Sequence, residues 1–429
     1  MTDHSPAAAS SFIPDIRVPV KWTLGGLAAG LVLGILLEGT ALAGNVLPVA
    51  DVVGTLWLRG LQMTIVPLVA ALLVIGIVQT VAAAKAGRVA VTSLALFATI
   101  LTIGTVFAAF AMPALLDAFP IPAAAAEALR QGLSGEQATQ VPSIADFLKS
   151  LVPANIFAAA AETAMIAIII FFSLVAVAIV RLPDQHRKLM VTLFEAITGT
   201  MLVIIGWVLW LAPLGVFALS LTVAGQSGAA ALGALVHYIV TVASMGGVVL
   251  LLAYVVAVIG ARQPLLRFAR AALPVQAMAI STQSSLASLP AMLAACRTLG
   301  LRETTGEFVL PLAVALFRAT GPAMNLAVAI YVARLAGMEL TPLMLATGVL
   351  VALATTIGSV SLPGAISFVT AIGPIAISMG VPVGPLALLV AVEVLPDIMR
   401  TVGNVTMDVA VASTVDERTE EPADHSALA

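Results

Sequence analysis

The chain has 429 residues, of which 61% are hydrophobic and only 10% charged, with a mean hydropathy of +1.12 and a formal net charge of −3. A soluble domain carries about 25% charged residues, so a soluble protein is excluded and a polytopic membrane protein is predicted. Long Ala/Leu/Val/Ile runs without period-two alternation favour spanning helices over a barrel, and the single cysteine, Cys296, excludes an intrachain disulfide.

In chain order, residues 1–16 are polar and read as a short cytoplasmic tail. No cleavable signal peptide is evident, because the first apolar run, Trp22–Leu37, leads on without an obvious cleavage site. Spans are predicted near 20–38, 52–81 and, after Lys85 and Arg88, 89–116. Residues 117–150 form the longest polar connection, and further spans cover 153–180, 189–223 and 230–260. Basic residues fall on alternate connections: Lys85 and Arg88, then Arg181, Arg187 and Lys188, then Arg262, Arg267 and Arg270. By the positive-inside rule this puts the amino terminus and the connection after the sixth span in the cytoplasm of an inner (plasma) membrane. The carboxy-terminal tail, 416–429, is expected to be disordered and on the same side.

Beyond residue 262 two apolar segments are interrupted by hydroxyl-rich, proline-containing tips, Ser281–Pro290 and Thr355–Gly364. Their cores echo each other, SLASLPA at 285–291 and SVSLPGA at 359–365. Each tip is flanked by half-length apolar runs, the pattern of a re-entrant helical hairpin. Backbone released from a helix at membrane depth must face protein or a water-filled cavity, and paired interrupted segments point to a transporter binding site. Between them a span over 304–336 is broken at Thr320-Gly321-Pro322 and carries Arg318 at the break.

The stretch PDIMRTVGNVTMD (396–408) raises a sharper question, because it places ionisable groups inside an apolar helix. Asp397, Arg400, Thr401, Asn404 and Asp408 fall within an arc of about 100°. A charge at a helix centre costs about 2.5–3.5 kcal/mol on insertion scales, so such residues face an interior and mark a pathway. A solvated helix end for Asp408, or a structural Asp397–Arg400 pair, are the bland alternatives.

Together these segments resemble the dicarboxylate/amino acid:cation symporter family, which includes glutamate and aspartate transporters. The resemblance runs through QMTIVPLVAALLVIGIV, AGRVAV and LAPLGVFAL to AISTQSSLASLPAML, FVLPL, IGSVSLPGA and DIMRTVGNVTMD. It implies an all-α elevator-type transporter of eight transmembrane helices plus two re-entrant hairpins, assembled as a homotrimer. Residues 17–88 and 119–225 would then form the scaffold. Residues 89–118 and 226–415 would form the moving transport domain. Asp397 matches the position that holds a substrate amino group. Arg400 matches the one that pairs with a side-chain carboxylate, for which a planar bidentate donor is suited. Thr401, Asn404, Ser284 and Ser285 match substrate contacts, Pro363 and Gly364 lie at the gating tip, and Asp408 with Asn404 resembles a sodium-ligating pair. Asp397 and Arg400 together favour an acidic amino acid over a C4-dicarboxylate.

The chain departs from the family pattern in two places. Where the family has Asn-Met-Asp-Gly-Thr, this chain has Phe317-Arg318-Ala319-Thr320-Gly321, or the window one residue later. The Tyr and Thr-Ser positions of the third span fall near Phe97, Ile100 and Leu101. Arg318 is expected to fill the sodium region and pair with Asp408. At 4 Å and an effective dielectric near 20 its repulsion of a sodium ion is about 4 kcal/mol. The coupling cation is then the proton rather than sodium, carried by Asp397, Asp408 or Glu393, with His237 as a further candidate. Arg318 holding a second carboxylate would instead favour a dicarboxylate.

No cofactor, metal cluster or phosphate loop is expected, and no basic patch for nucleic acid. A hydrolase using a hairpin serine needs a base within reach. His237 is the sole candidate in a span core, so an enzyme is discounted. A non-coupled pathway or sensor on the same scaffold remains the alternative.

Overall fold

The computed structural model describes residues 19–85, 87–122, 152–227, 230–358 and 368–419. In chain order its helices are α1 (Val20–Leu37), α2 (Ala43–Gln62), α3 (Ile65–Ala84), α4 (Arg88–Ala118), α5 (Ile156–Ala161) and α6 (Met165–Val180). They continue as α7 (Asp184–Trp210), α8 (Ala212–Ser227), α9 (Ala230–Val255), α10 (Leu265–Thr282), α11 (Leu289–Leu299) and α12 (Glu303–Leu316). The last are α13 (Gly321–Leu335), α14 (Pro342–Gly358), α15 (Gly373–Ser378), α16 (Gly384–Leu389) and α17 (Val394–Thr419). A π-helical turn at Val256–Gly260 prolongs α9, and another at Phe368–Ile372 precedes α15. The described residues contain no strand.

Among the described residues, five stretches are long and apolar enough to cross a membrane: Ala43–Ala84, Arg88–Ala118, Asp184–Trp210, Leu232–Gly260 and Glu303–Leu335. The spans expected at 52–81 and 189–223 are each interrupted, at Met63–Thr64 and at Leu211. The cause is readable in hindsight. Helices α3, α8, α11, α13, α15 and α16 all carry a proline in their first turn: Pro67, Pro213, Pro290, Pro322, Pro374 and Pro385. A first-turn proline loses no intrahelical hydrogen bond and cannot continue the preceding helix. Each marks a restart rather than a kink.

Two large apolar cores dominate the described residues, beside two small ones. The first gathers α1–α3, the end of α4, α6–α8, the first half of α9, and α13 to α16. The second gathers the first half of α4, the second half of α9, α10–α12 and α17. The seam between them passes through the interruption 317–320: Phe317, Ala319 and Ala323 belong to the second core, Met324 onward to the first. Helices α10 and α11 pack on each other across the turn 283–288, where Gln283 has φ +49° and ends α10. Of the tip expected at 355–364, residues 359–364 lie outside the described residues, including Pro363 and Gly364.

Close approach is concentrated between α1 and α8. Gly26, Gly30 and Gly34 repeat every fourth residue, and a Cβ on any of them would overlap Pro213, Ser220 or Ala224 of α8. Small residues at this spacing let membrane helices pack backbone to backbone, where no hydrophobic force favours one helix over lipid.

Helix α17 runs past the boundary expected at residue 416. Asp416 is buried and its Oδ1 accepts from Arg302 Nε at 2.7 Å. Arg302 Nη2 also donates to the Asp416 carbonyl and to Thr419 Oγ1, both at 2.9 Å. The guanidinium thus serves the carbonyls that a helix end leaves unpaired, and the helix persists to Thr419.

Gly30→Ala should lower the thermal stability of the detergent-solubilised protein by the equivalent of about 1–3 kcal/mol, the usual effect of overpacking. Gly25→Ala, where nothing lies within 4 Å of the new carbon, should leave stability unchanged or slightly raised through helix propensity. Parallel thermal unfolding of the two variants checks the pair.

Candidate functional site

The polar stripe of α17 is buried as a unit: Asp397, Arg400, Thr401, Asn404 and Asp408 are all enclosed. Helix α17 lies against α9, α10, α12, α4 and α11, so its polar face points into protein. A buried ion needs partners, and the partners define the site.

Arg400 is 2% exposed, and all three guanidinium nitrogens meet protein groups. Nη2 donates to Glu393 Oε1 and Nη1 to Asn325 Oδ1. Nε lies 3.1 Å from Asp397 Oδ1, an ion contact without the alignment of a hydrogen bond. Glu393, on the turn just before α17, accepts a second bond at Oε2 from the Tyr238 hydroxyl of α9 at 2.8 Å. Tyr238 packs edge-on against Tyr331 of α13, with ring centroids 5.3 Å apart.

The interruption between α12 and α13 is held against α17. The Thr320 N–H donates to Asn404 Oδ1 at 2.9 Å. The Thr320 hydroxyl lies 2.9 Å from the same oxygen and 3.0 Å from the Arg400 carbonyl, and donates to one at a time. Gly403 permits this approach, since a Cβ there would sit 2.5 Å from Thr320 Cγ2. Arg318, half-buried in the interruption, acts by charge on Asp397, Arg400 and Asp408.

Between Arg318 and Asp408, expected from sequence to pair, no hydrogen bond forms, and the interaction is one of charge. Both Asp408 oxygens are buried and neither accepts a hydrogen bond from a described group. Asn404, read with Asp408 as a pair, has its side-chain oxygen turned to the Thr320 N–H. Facing this region from α4, Phe97 stacks on Phe317 with centroids 4.3 Å apart and planes 7° from parallel. Ile100 and Leu101 are buried in the same apolar core.

The other residues read from sequence are distributed as follows. The Thr401 hydroxyl returns to the Asp397 carbonyl of its own helix at 3.0 Å. Ser284 and Ser285 are half-buried in the turn between α10 and α11, where Ser284 Oγ accepts from Ala287 N–H at 3.2 Å. No hydrogen bond joins the described serines of this turn to the α17 stripe. His237 binds the Phe119 carbonyl through Nε2 at 3.0 Å and the Tyr331 hydroxyl through Nδ1 at 3.3 Å, which ties α9 to the end of α4 and to α13. Tyr238 and Asn325 are neighbours of the stripe that the sequence does not single out, whereas Thr320 was read only as part of the break. The signal of Tyr238 and Asn325 is a polar side chain in a mostly apolar helix, which many structural residues share.

A buried stripe of opposed charges, flanked by interrupted helices in an all-helical apolar chain, is the architecture of a membrane transporter. The family is also evident: the chain matches the model of the sodium:dicarboxylate symporter family over residues 20–418 and belongs to that family. It is therefore an integral membrane protein of a transporter family rather than of an enzyme family. It is 28% identical over 398 residues to the proton/sodium-glutamate symport protein of Bacillus subtilis, covering 90% of this chain and 89% of the relative. It is 28% identical over 381 residues to the proton/glutamate-aspartate symporter of Escherichia coli, covering 84% of each. A C4-dicarboxylate transport protein of Laribacter hongkongensis is 27% identical over 342 residues, covering 75% of this chain and 72% of the relative.

Asn404→Ala should strand the Thr320 N–H without its acceptor in a buried position. A loss of about 1–3 kcal/mol is expected. Thermal unfolding should show it, whereas Ser284→Ala in the half-exposed turn should cost much less.

Proposed function

We propose that this chain is a secondary active symporter that imports an acidic amino acid, aspartate or glutamate, across the inner membrane, coupled to protons rather than to sodium. The observation that carries the substrate reading is Asp397 beside Arg400, both buried on one face of α17. A carboxylate suits a substrate ammonium, and a planar guanidinium suits a substrate carboxylate. The relatives named as glutamate and aspartate symporters support the same class.

Charge balance supports the proton. Glu393, Asp397 and Asp408 oppose Arg318 and Arg400, so three carboxylates against two guanidiniums leave one negative charge when all are ionised. An acidic amino acid adds another. Carrying such a site through a low-dielectric layer is costly, and added protons restore balance. Sodium would do so as well, but oxygen ligands for it are scarce here. The α4 face carries Phe97, Ile100 and Leu101, the Asn404 oxygen is engaged by Thr320, and Arg318 repels a cation.

In this reading Ser284, Ser285, Pro363, Gly364, Thr401 and Asn404 complete the substrate shell, and Arg318 with Asp408 takes part in ion coupling. Eight spans and two re-entrant hairpins would make up each subunit of a homotrimer, with both termini cytoplasmic. The division into scaffold (17–88, 119–225) and transport domain (89–118, 226–415) would move by an elevator mechanism. Support comes from the paired helices α10 and α11 and from the first core, where α13–α16 meet α3 and α6.

A second reading is C4-dicarboxylate symport. It is favoured by the second guanidinium, Arg318, acting with Arg400 on one carboxylate, Asp397, and by the dicarboxylate relatives. A sensor without coupled transport would bind but not accumulate substrate.

The deciding experiment is uptake of radiolabelled L-aspartate, with succinate in parallel, into proteoliposomes under an inward proton gradient, with and without sodium. Equal aspartate accumulation in both supports the proposal. Succinate accumulation alone selects the dicarboxylate reading, strict sodium dependence overturns proton coupling, and binding without accumulation indicates a sensor. Arg400→Lys should lose about 2 kcal/mol of substrate binding, roughly thirtyfold in affinity, because an ammonium lacks the fork. Arg318→Met should introduce a dependence on sodium; unchanged ion dependence would remove Arg318 from the coupling scheme.

A further inference from the structure

We infer that Glu393 is the seat of the coupling proton, and that it couples by competing with the substrate's carboxylate for Arg400. The inference rests on the proton-coupled reading above and deepens it.

The geometry supplies the competition. Glu393 is 1% exposed and divides its two oxygens between two partners: Oε1 meets Arg400 Nη2, and Oε2 accepts from the Tyr238 hydroxyl at 2.8 Å. Asn325 occupies Arg400 Nη1, and Asp397 stands off Nε. Of the described groups on Arg400, Glu393 alone combines a substrate-like carboxylate with a hydrogen bond at an outer nitrogen. A substrate carboxylate that takes two parallel guanidinium bonds through Nη2 competes with Glu393 for that nitrogen.

Displacement leaves Glu393 Oε1 without a cation in a buried site, where an unpaired charge is strongly disfavoured. A proton from the outside water then adds to Oε1 while Oε2 keeps its bond from Tyr238. On the inner side the substrate leaves, Oε1 gives its proton to water, and the Glu393–Arg400 pair re-forms. Both half-loaded states are penalised. With substrate and no proton, two carboxylates crowd one guanidinium. With proton and no substrate, Arg400 keeps the neutral Asn325 oxygen and, among the described carboxylates, only the off-line contact of Asp397. This mutual exclusion is what obliges proton and substrate to travel together.

The titratable and charged groups facing Glu393 come from three elements. Asp397 and Arg400 share α17; Tyr238 comes from α9; Tyr331 of α13 acts on Tyr238 and is bonded by His237. Arg318 reaches the cluster through Asp397 and Arg400. Asp408 accepts no hydrogen bond from Arg400 or any other described group, so its protonation would alter no contact that a substrate carboxylate uses. His237 is bonded to Phe119 and Tyr331, away from Arg400.

The test uses the full chain in proteoliposomes loaded with unlabelled L-aspartate, measuring exchange with external radiolabelled L-aspartate at equal internal and external pH, from acid to alkaline. Wild-type exchange should fall by about tenfold per pH unit above its midpoint, as one proton is lost per binding event. Glu393→Gln offers an amide that takes no proton, so exchange should be flat with pH and proton-driven accumulation lost. Tyr238→Phe removes a donor to Oε2 and should displace the midpoint of the profile; as a near-isosteric change it keeps the inference testable where Glu393→Gln does not fold. A Glu393→Gln protein with the wild-type pH profile, or a Tyr238→Phe profile identical to wild type, overturns the inference. Wild-type uptake indifferent to a proton gradient overturns instead the reading on which it rests. Should succinate be the transported probe, the same arms apply to it unchanged.

Discussion

A guanidinium enclosed in a membrane protein must be matched by an ionised partner, and Arg400 imposes that condition on everything around it. Its three nitrogens draw in groups from two further segments: Asn325 from α13 and Glu393 from the turn ahead of α17. Glu393 in turn draws in Tyr238 from α9. One ion thereby specifies where three helices meet. An error of one residue in the register of any of them would leave a charge or a hydroxyl buried without a partner, at a cost of several kcal/mol. The cluster therefore fixes the registry of its neighbours whatever it adds to net stability.

The same condition explains why the helices are interrupted where they are. An unbroken α12–α13 would keep the Thr320 N–H inside its own ladder, and none of it would be available to Asn404. The break frees that N–H, and the Asn404 side chain takes the place of the lost helical acceptor. Pro322, in the first turn of the restarted helix, costs no hydrogen bond of its own. The seam between the two cores passes through this point, so the buried polar cluster lies between two apolar blocks.

Much of this was legible in the sequence, and the remainder was hidden for identifiable reasons. The stripe from Asp397 to Asp408 follows from helical periodicity alone, and the break at Thr320-Gly321-Pro322 from the chemistry of proline. The turn at 283–288 falls within the tip read from its serines and proline. The pairing of Arg318 with Asp408 was argued from charge, and charge alone does not say whether two side chains come within hydrogen-bonding reach. Tyr238 and Asn325 are 87 residues apart, and each is one polar group in an apolar helix. Only the fold brings Asn325 to Arg400 and Tyr238 to Glu393 beside it. Gly26, Gly30 and Gly34 did carry a local signal, a four-residue repeat of the smallest side chain, but it reads as a packing face only once α8 is known to lie against it. Asp416 looked like the start of a tail because Arg302, its partner, is more than a hundred residues earlier.

Helix α12 is fastened to α17 at both extremities. Arg302, just ahead of its first turn, grips Asp416 and Thr419, and Thr320, just beyond its last, is tied to Asn404 and the backbone of Arg400. Fourteen residues of helix lie between those fastenings, roughly 21 Å at 1.5 Å per residue. Two rods pinned together at both ends form a closed frame that resists shear. Neither can slide along the other, and a tilt imposed at one end must appear at the other. The Arg302 clasp and the charged site are thus opposite corners of a single stiff panel, and any rearrangement around Arg400 has to move that panel whole or bend at the turns outside it.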